Sequence, residues 1–179
     1  MIPVEISNRH LHISKEDYEK LFDKELTKLR NLSQEGEFAA NETVELNGFN
    51  VRIIGSFREC SQLELSKTDA RIIKLNLPLN LSGDLTNAPL IEVKTNKGTV
   101  RIPAIIAKRH LHCNENKAKE LGLKNNEIIS LKVMGLRPIT FHDVVVRVKK
   151  DFNLVFHLDT DEGNAAGVNK NTEAFLVEK

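Results

Sequence analysis

The stretches Asn8-Arg9-His10-Leu11-His12 (NRHLH) and Lys108-Arg109-His110-Leu111-His112 (KRHLH) decide how this chain is read. Arg-His-Leu-His occurs twice in 179 residues, roughly 100 residues apart, and the two copies hold four of the six histidines. On an extended strand, residues i and i+2 point to the same face, so each His-Leu-His aims two imidazoles into one space. Imidazole is the commonest side-chain metal ligand, and a catalytic zinc takes three protein ligands and keeps an open position. Four imidazoles therefore serve either one crowded site or two neighbouring ones.

The residues after each copy are also alike. Ser14–Phe22 (SKEDYEKLF) is predicted to be a helix capped by Ser14, with Asp17 three residues on in an Asp variant of the capping box. Asn114–Gly122 (NENKAKELG) is predicted to be a second, with Asn114 as N-cap and Gly122 as the stop. Extended segment, Arg-His-Leu-His and capped helix thus recur as one layout. A single repeat at this spacing suits a duplicated module rather than a solenoid.

Elsewhere strand signals dominate. Val44–Ile54 folds about Asn47-Gly48, a hairpin signature, and Pro89–Ile106 about Asn96-Lys97-Gly98. Glu127–Met134, His142–Lys149 and Leu154–Asp159 are rich in β-branched and aliphatic residues, and EAFLVEK (173–179) reads as a last strand. A net charge of +1 and 5% aromatics argue against a nucleic-acid surface. No apolar run approaches the ~20 residues of a membrane span. The two cysteines, Cys60 and Cys113, are far apart and imply a reducing compartment without a disulfide framework.

Several other residues are candidate ligands. His157 ends a strand in FHLDTDEGNAAG and, taken alone, reads as a packing or surface histidine. Glu64 alternates with Leu63 and Leu65 and, taken alone, reads as the solvated face of a strand. His142 has no HxH companion, and Cys113 follows His112 directly and so points away from the pair. His10, His12 and Glu16 match the HxHx₃E spacing of cupin barrels, but Ser14 starts a helix there and the second copy lacks the spacing. Ser14 also excludes the HxHxD of metallo-β-lactamases, and the barrel of amidohydrolases needs ~250 residues.

Taken in order, SNRHLHIS, FRECSQLELSKTDAR, SGDL, AKRHLH and HLDTDEGNAAG resemble the PduL-type phosphotransacylases, or phosphate propanoyltransferases, from Pro3 to about Gly167. The resemblance implies a mainly β fold of two small β-barrels, each capped by short α-helices. Residues 13–108 would form the first barrel, 1–12 with 109–179 the second, and the active site would lie between them. It further implies two Zn²⁺ per chain, one held by Glu64, His110 and His112 and the other by His10, His12 and His157. Arg58, six residues before Glu64, would bind phosphate, and Ser7 and Ser82 match polar positions near the site. Two departures leave every ligand in place: Gly55-Ser56 where the family often has Gly-Pro, and Gly163 where the tail motif usually reads DEANAAG.

The implied activity interconverts a short-chain acyl-CoA, propanoyl or acetyl, plus phosphate with acyl phosphate plus coenzyme A. Zinc would stabilise the leaving thiolate, and the planar fork of Arg58 would hold the attacking phosphate in line for direct transfer. The competing readings are a zinc-dependent thioester or phosphoester hydrolase and a non-catalytic zinc-stabilised binding barrel. Arg9 and Arg109 either steer substrate phosphates or, the reading we favour, pair with nearby acids. Asp159, Asp161 and Glu162 either orient metal-bound histidines or form a solvated acidic loop. Acyl-CoA and phosphate are the expected partners, with no nucleic acid and no membrane, and a homodimer is left open. Many relatives carry a microcompartment-targeting extension before the first motif; this chain begins almost at that motif, so a free cytoplasmic enzyme is expected.

Overall fold

The computed structural model describes residues 1–177, so the end of the expected EAFLVEK strand, Glu178 and Lys179, lies outside the described residues. Its elements in chain order are β1 (Ile2–Ser7), β2 (His10–Ser14), α1 (Lys15–Leu21), β3 (Lys28–Asn31), β4 (Phe38–Leu46), β5 (Phe49–Arg58), β6 (Gln62–Leu65), α2 (Lys67–Ile72), β7 (Leu79–Asn80), β8 (Leu90–Lys94), β9 (Thr99–Ala107), β10 (His110–Cys113), α3 (Glu115–Glu120), β11 (Ile128–Val133), β12 (Ile139–Val148), β13 (Val155–Asp159), α4 (Thr160–Ala166) and β14 (Glu173–Leu176). The fold is mainly β, and the chain divides into two units.

One unit, Met1–Asn8 with Ser33–Glu35 and Lys108–Lys179, is a closed barrel in the order β1-β13-β10-β12-β11-β14. The other, Arg9–Leu32 with Gly36–Ala107, has the order β3-β4-β5-β2-β6-β9-β7. There β8 pairs with both β9 and β4, the latter through Glu45 and Lys94, and so closes a ring β4-β5-β2-β6-β9-β8. The two rings share one pairing scheme. β2 runs parallel to β5 and antiparallel to β6, as β10 runs parallel to β12 and antiparallel to β13. β6 is parallel to β9, as β13 is to β1.

The duplicated module is therefore real, but its first strand is exchanged. β1 immediately precedes the first Arg-His-Leu-His yet joins the barrel of the second copy, and β9 immediately precedes the second copy yet joins the ring of the first. This corrects the expected boundary after residue 12. The chain passes from one unit to the other after Asn8, because β2 forms its ladders with β5 and β6, so His10 and His12 belong with residues 36–107.

Local sequence accounts for the elements. Asn47 (φ 45) and Gly48 (φ 88) both take positive φ, as the tight turn between β4 and β5 demands. The Ser14 side chain accepts from the Asp17 backbone N–H and the Asn114 side chain from that of Lys117, capping α1 and α3 as expected. Strand alternation sends Leu11 and Ile13 into one core and Leu111 and Cys113 into the other, all fully buried. Gly55 lies opposite Phe38 in the β4–β5 ladder, where any Cβ would enter the phenyl ring.

Two helices were not foreseen. α2 and α4 each start three residues after a triad position, Glu64 and His157 respectively. Each is nucleated by a complete capping box, Ser66 with Asp69 and Asp159 with Glu162. Asp159, Asp161 and Glu162, for which a solvated loop was one of two readings, are the N-cap and first turn of a helix, where carboxylates offset the helix dipole. α4 ends at Gly167 in the left-handed conformation. The glycine that departs from DEANAAG also has a local reason. A Cβ on Gly163 would lie 2.6 Å from Cδ1 and Cγ1 of Ile6.

This contact gives a stability test. Gly163→Ala gains helix propensity of about 1 kcal/mol but collides with Ile6, a cost of about 1–3 kcal/mol. Chemical denaturation of Gly163→Ala, Ile6→Ala and the double variant should show Gly163→Ala neutral or destabilising alone and stabilising in the Ile6→Ala background. Strict additivity would contradict the contact.

Candidate metal centres

Strand register builds two sites of the same design. In the ring, His10 and His12 of β2 lie on the face opposite the core residues Leu11 and Ile13, and His10 is in register with Glu64 of β6. In the barrel, His110 and His112 of β10 do the same, and His110 is in register with His157 of β13. Glu64 and His157 thus occupy equivalent places in the two modules. In each group, His10/His12/Glu64 and His110/His112/His157, the candidate donor atoms all lie within 4.8 Å of one another.

The six residues expected as ligands fall into two triads, one within each unit, sorted differently from the expectation. Glu64 lies with His10 and His12, not with His110 and His112, and His157 lies with His110 and His112, not with His10 and His12. The reason is the exchanged first strand. Because β2 enters the ring, the antiparallel neighbour of each His-Leu-His is a strand of its own module.

In the first triad, Nε2 of His10 and Nε2 of His12 are 3.2 Å apart, and the Glu64 carboxylate oxygens lie 3.5 Å from His10 Nε2 and 4.0 Å from His12 Nε2. Two nitrogens on one tetrahedral zinc lie roughly 3.3 Å apart, given Zn–N of about 2.0–2.1 Å, so this pair needs little rearrangement. All three residues are buried. Burial, then the neighbouring His10, and also Arg58 push the His12 pKa well below the ordinary histidine value against the pull of Glu64. The imidazole is thus neutral and keeps a lone pair.

Gln62, in register with His12, supports the carboxylate. Its Nε2 donates to Glu64 Oε1 at 2.5 Å and to Ser82 Oγ at 3.1 Å, and its Oε1 accepts from the Gly83 backbone N–H at 2.8 Å. Ser82 is thereby joined to the triad through one buried side chain. Sequence reasoning passed over Gln62; its signal is the i, i+2 relation to Glu64 on a strand. Arg58 ends β5 of the same unit, a third exposed, with Nη2 donating to Glu37 Oε1 at 2.9 Å.

In the second triad, His110 Nδ1 lies 2.9 Å from the Lys108 carbonyl, the arrangement in which Nδ1–H donates and Nε2 carries the lone pair. His112 stacks on Phe152 with ring centroids 3.9 Å apart, and neither of its ring nitrogens has a hydrogen-bond partner although both are buried. An imidazole with both nitrogens unsatisfied is costly unless one of them binds something. Burial first, then His110, His157, Arg147 and Lys149, drive its pKa far below the ordinary value. Donor chemistry, mutual distances and this orphaned ring all fit a divalent metal such as zinc in each triad.

The remaining candidates fall into place. Ser7 is on β1 in register with Asp159, in the second triad's unit. Cys113 faces the core, where burial raises its pKa, and is not a ligand. His142 is exposed beside Ser130. Arg9 pairs with Asp69 and Arg109 with Glu162, so the pairing with local acids holds for both.

Fold and sites together define a duplicated β-barrel protein with one candidate metal triad in each module. Residues 3–169 match the family described as phosphate propanoyltransferase. The chain is 41% identical to the phosphate propanoyltransferase of Clostridioides difficile, over 99% of this chain and 90% of that protein. It is 42% identical to that of Thermotoga maritima (99% and 89%) and 39% identical to that of Salmonella typhimurium (97% and 87%). The chain belongs to the phosphate propanoyltransferase family, and it is an enzyme of the transferase class. Among the described residues no helix is long and apolar enough to cross a membrane.

The buried imidazoles imply a pH dependence for the protein held in chelator. His12 and His112 have folded pKa values below the 6.5 of the unfolded chain. Above that pH neither state binds the proton. Below it the unfolded chain takes up protons that the folded chain refuses, so stability falls with pH at up to ~1.4 kcal/mol per unit for each residue. Urea midpoints between pH 7 and pH 5 should fall, and fall less steeply in His112→Gln. Equal slopes would contradict the assignment.

Proposed function

We propose that this enzyme transfers a short acyl group, propanoyl or acetyl, between the sulfur of coenzyme A and an oxygen of inorganic phosphate. The observation that carries the reading is Arg58, which ends β5, the strand paired in parallel with the β2 strand that bears His10 and His12. It pairs a guanidinium, the group suited to bidentate phosphate recognition, with a candidate metal centre. The relatives' names supply the same two elements, phosphate and a propanoyl group.

On this reading His10, His12 and Glu64 hold one Zn²⁺, and His110, His112 and His157 hold a second. When bound, zinc would polarise oxygen and stabilise the coenzyme A thiolate as Lewis acid. Arg58 exchanges its bond to Glu37 for phosphate oxygens and orients the anion. Gln62 holds Glu64 in place while presenting Ser82 to the same region. The phosphate oxygen forms its bond to the acyl carbonyl carbon as the carbon–sulfur bond breaks, and the electron pair leaves on sulfur. No acyl-enzyme is needed, in keeping with Cys113 turned into the core. The free thiols Cys60 and Cys113 suit a cytoplasmic setting.

The test is release of free coenzyme A from propanoyl-CoA and acetyl-CoA with and without phosphate. Release should require phosphate. Arg58→Ala should raise the phosphate KM about 10- to 100-fold, the worth of a charge-assisted contact, and change the acyl-CoA KM far less. Release that ignores phosphate, with Arg58→Ala silent, would point to a hydrolase that uses water instead.

A further inference from the structure

The arginine of each Arg-His-Leu-His is absent from the metal triads, yet it recurs. Arg9 donates from both Nε and Nη2 to Asp69 Oδ1, at 3.0 and 2.6 Å, and its Cζ lies 4.9 Å from the centroid of the Phe49 ring. Arg109 Nη1 lies 3.1 Å from Glu162 Oε1, and its Cζ lies 5.5 Å from the centroid of the Phe141 ring. Asp69 is five residues after Glu64, and Glu162 is five residues after His157. Both acids are third in their helices and complete a capping box, with N-caps Ser66 and Asp159 two residues after the third ligand.

The same mechanical loop thus closes twice in one chain. It runs from the residue before the first ligand, through a guanidinium, to the helix that follows the third ligand. This loop adds to the short ladder between the two strands of each triad, His10–His12 with Gln62–Glu64 and His110–His112 with Val155–His157. Each arginine also sits at or next to the point where the chain passes from one unit into the other. The pairs are not ordinary surface ion pairs, which are worth little. The Asp69 side chain is only 6% exposed, and both guanidinium groups lie over an aromatic ring.

We propose that Arg9 and Arg109 are positioning residues, each clamping one metal triad by tying the strand of its first two ligands to the helix after its third. The inference rests on the two triads being metal sites. Each clamp acts on its own triad, so the two sites serve as controls for each other.

The experiment titrates chelator-stripped protein with Co²⁺ and follows the visible absorption of the bound ion, together with thermal unfolding of the metal-free protein. Wild type should bind two Co²⁺. Arg9→Met keeps an aliphatic stem over Phe49 and removes the fork. It should weaken one Co²⁺ about tenfold or more and alter its spectrum while leaving the other unchanged. Arg109→Met should affect the other ion, and Arg9→Lys should recover part of the loss. Asp69→Asn, which keeps the capping acceptor and loses the charge, should reproduce Arg9→Met and replaces it if that variant does not fold. Wild-type affinity and spectra at both sites in the folded variants would overturn the clamp. Failure of wild type to bind Co²⁺ would overturn the metal reading itself, and the clamp with it.

Discussion

The arrangement depends on the two-residue alternation of a strand that is paired on both sides. In β2 and β10 the leucine of His-Leu-His goes into a core and is fully buried, so the histidines on either side of it must share the opposite face. The flanking ladders then decide what meets them. The antiparallel partner brings its own i, i+2 residues to that face, and register alone selects Glu64 in one module and His157 in the other. A shift of one residue would turn the leucines outward and the imidazoles into the cores, so the hydrophobic effect and the ligand geometry enforce the same register.

Duplication explains the rest of the plan. Two modules with the same pairing scheme, the same capped helices and the same arginine–acid pair differ mainly at the third ligand and its neighbour. The ring places Gln62 and Glu64 where the barrel places Val155 and His157. The first triad has an anionic donor group, a buried amide support and a guanidinium in the same unit; the second is three imidazoles with an aromatic ring stacked on one of them. One fold thus presents two donor sets of different charge, and the less anionic set has Arg147 and Lys149 near enough to depress His112. The first strand of each module crosses to the other's ring, which fixes Arg9 and Arg109 at the crossings.

Much of this was legible in the sequence because it rests on local chemistry. The hairpin at Asn47-Gly48, the caps at Ser14 and Asn114, the inward Cys113 and the paired imidazoles follow from period, turn residues and side-chain type. The third members of the triads were not readable from local pattern, since Glu64 and His157 share no residue type and look like ordinary strand positions. Family resemblance named them but placed each with the other module's pair, because strand exchange between modules is a tertiary event that leaves no local trace. α2 and α4 were missed for a different reason. They are no shorter than α1 and α3, which the repeated layout brought to notice, and their capping boxes, Ser66 with Asp69 and Asp159 with Glu162, lie outside that repeat. Gln62 shares an i, i+2 relation with Glu64, but its role depends on register with His12 and on reach to Ser82, which are tertiary.

On this account each module builds its metal site from its own residues, His10, His12 and Glu64 in one and His110, His112 and His157 in the other. The most direct measurement is the zinc content and affinity of the triple variant His10→Ala/His12→Ala/Glu64→Ala. If the triads are self-contained, the variant loses one zinc and keeps the second at wild-type affinity. If the ligands were shared across modules, the same three substitutions would damage both sites and neither zinc would be held at wild-type affinity.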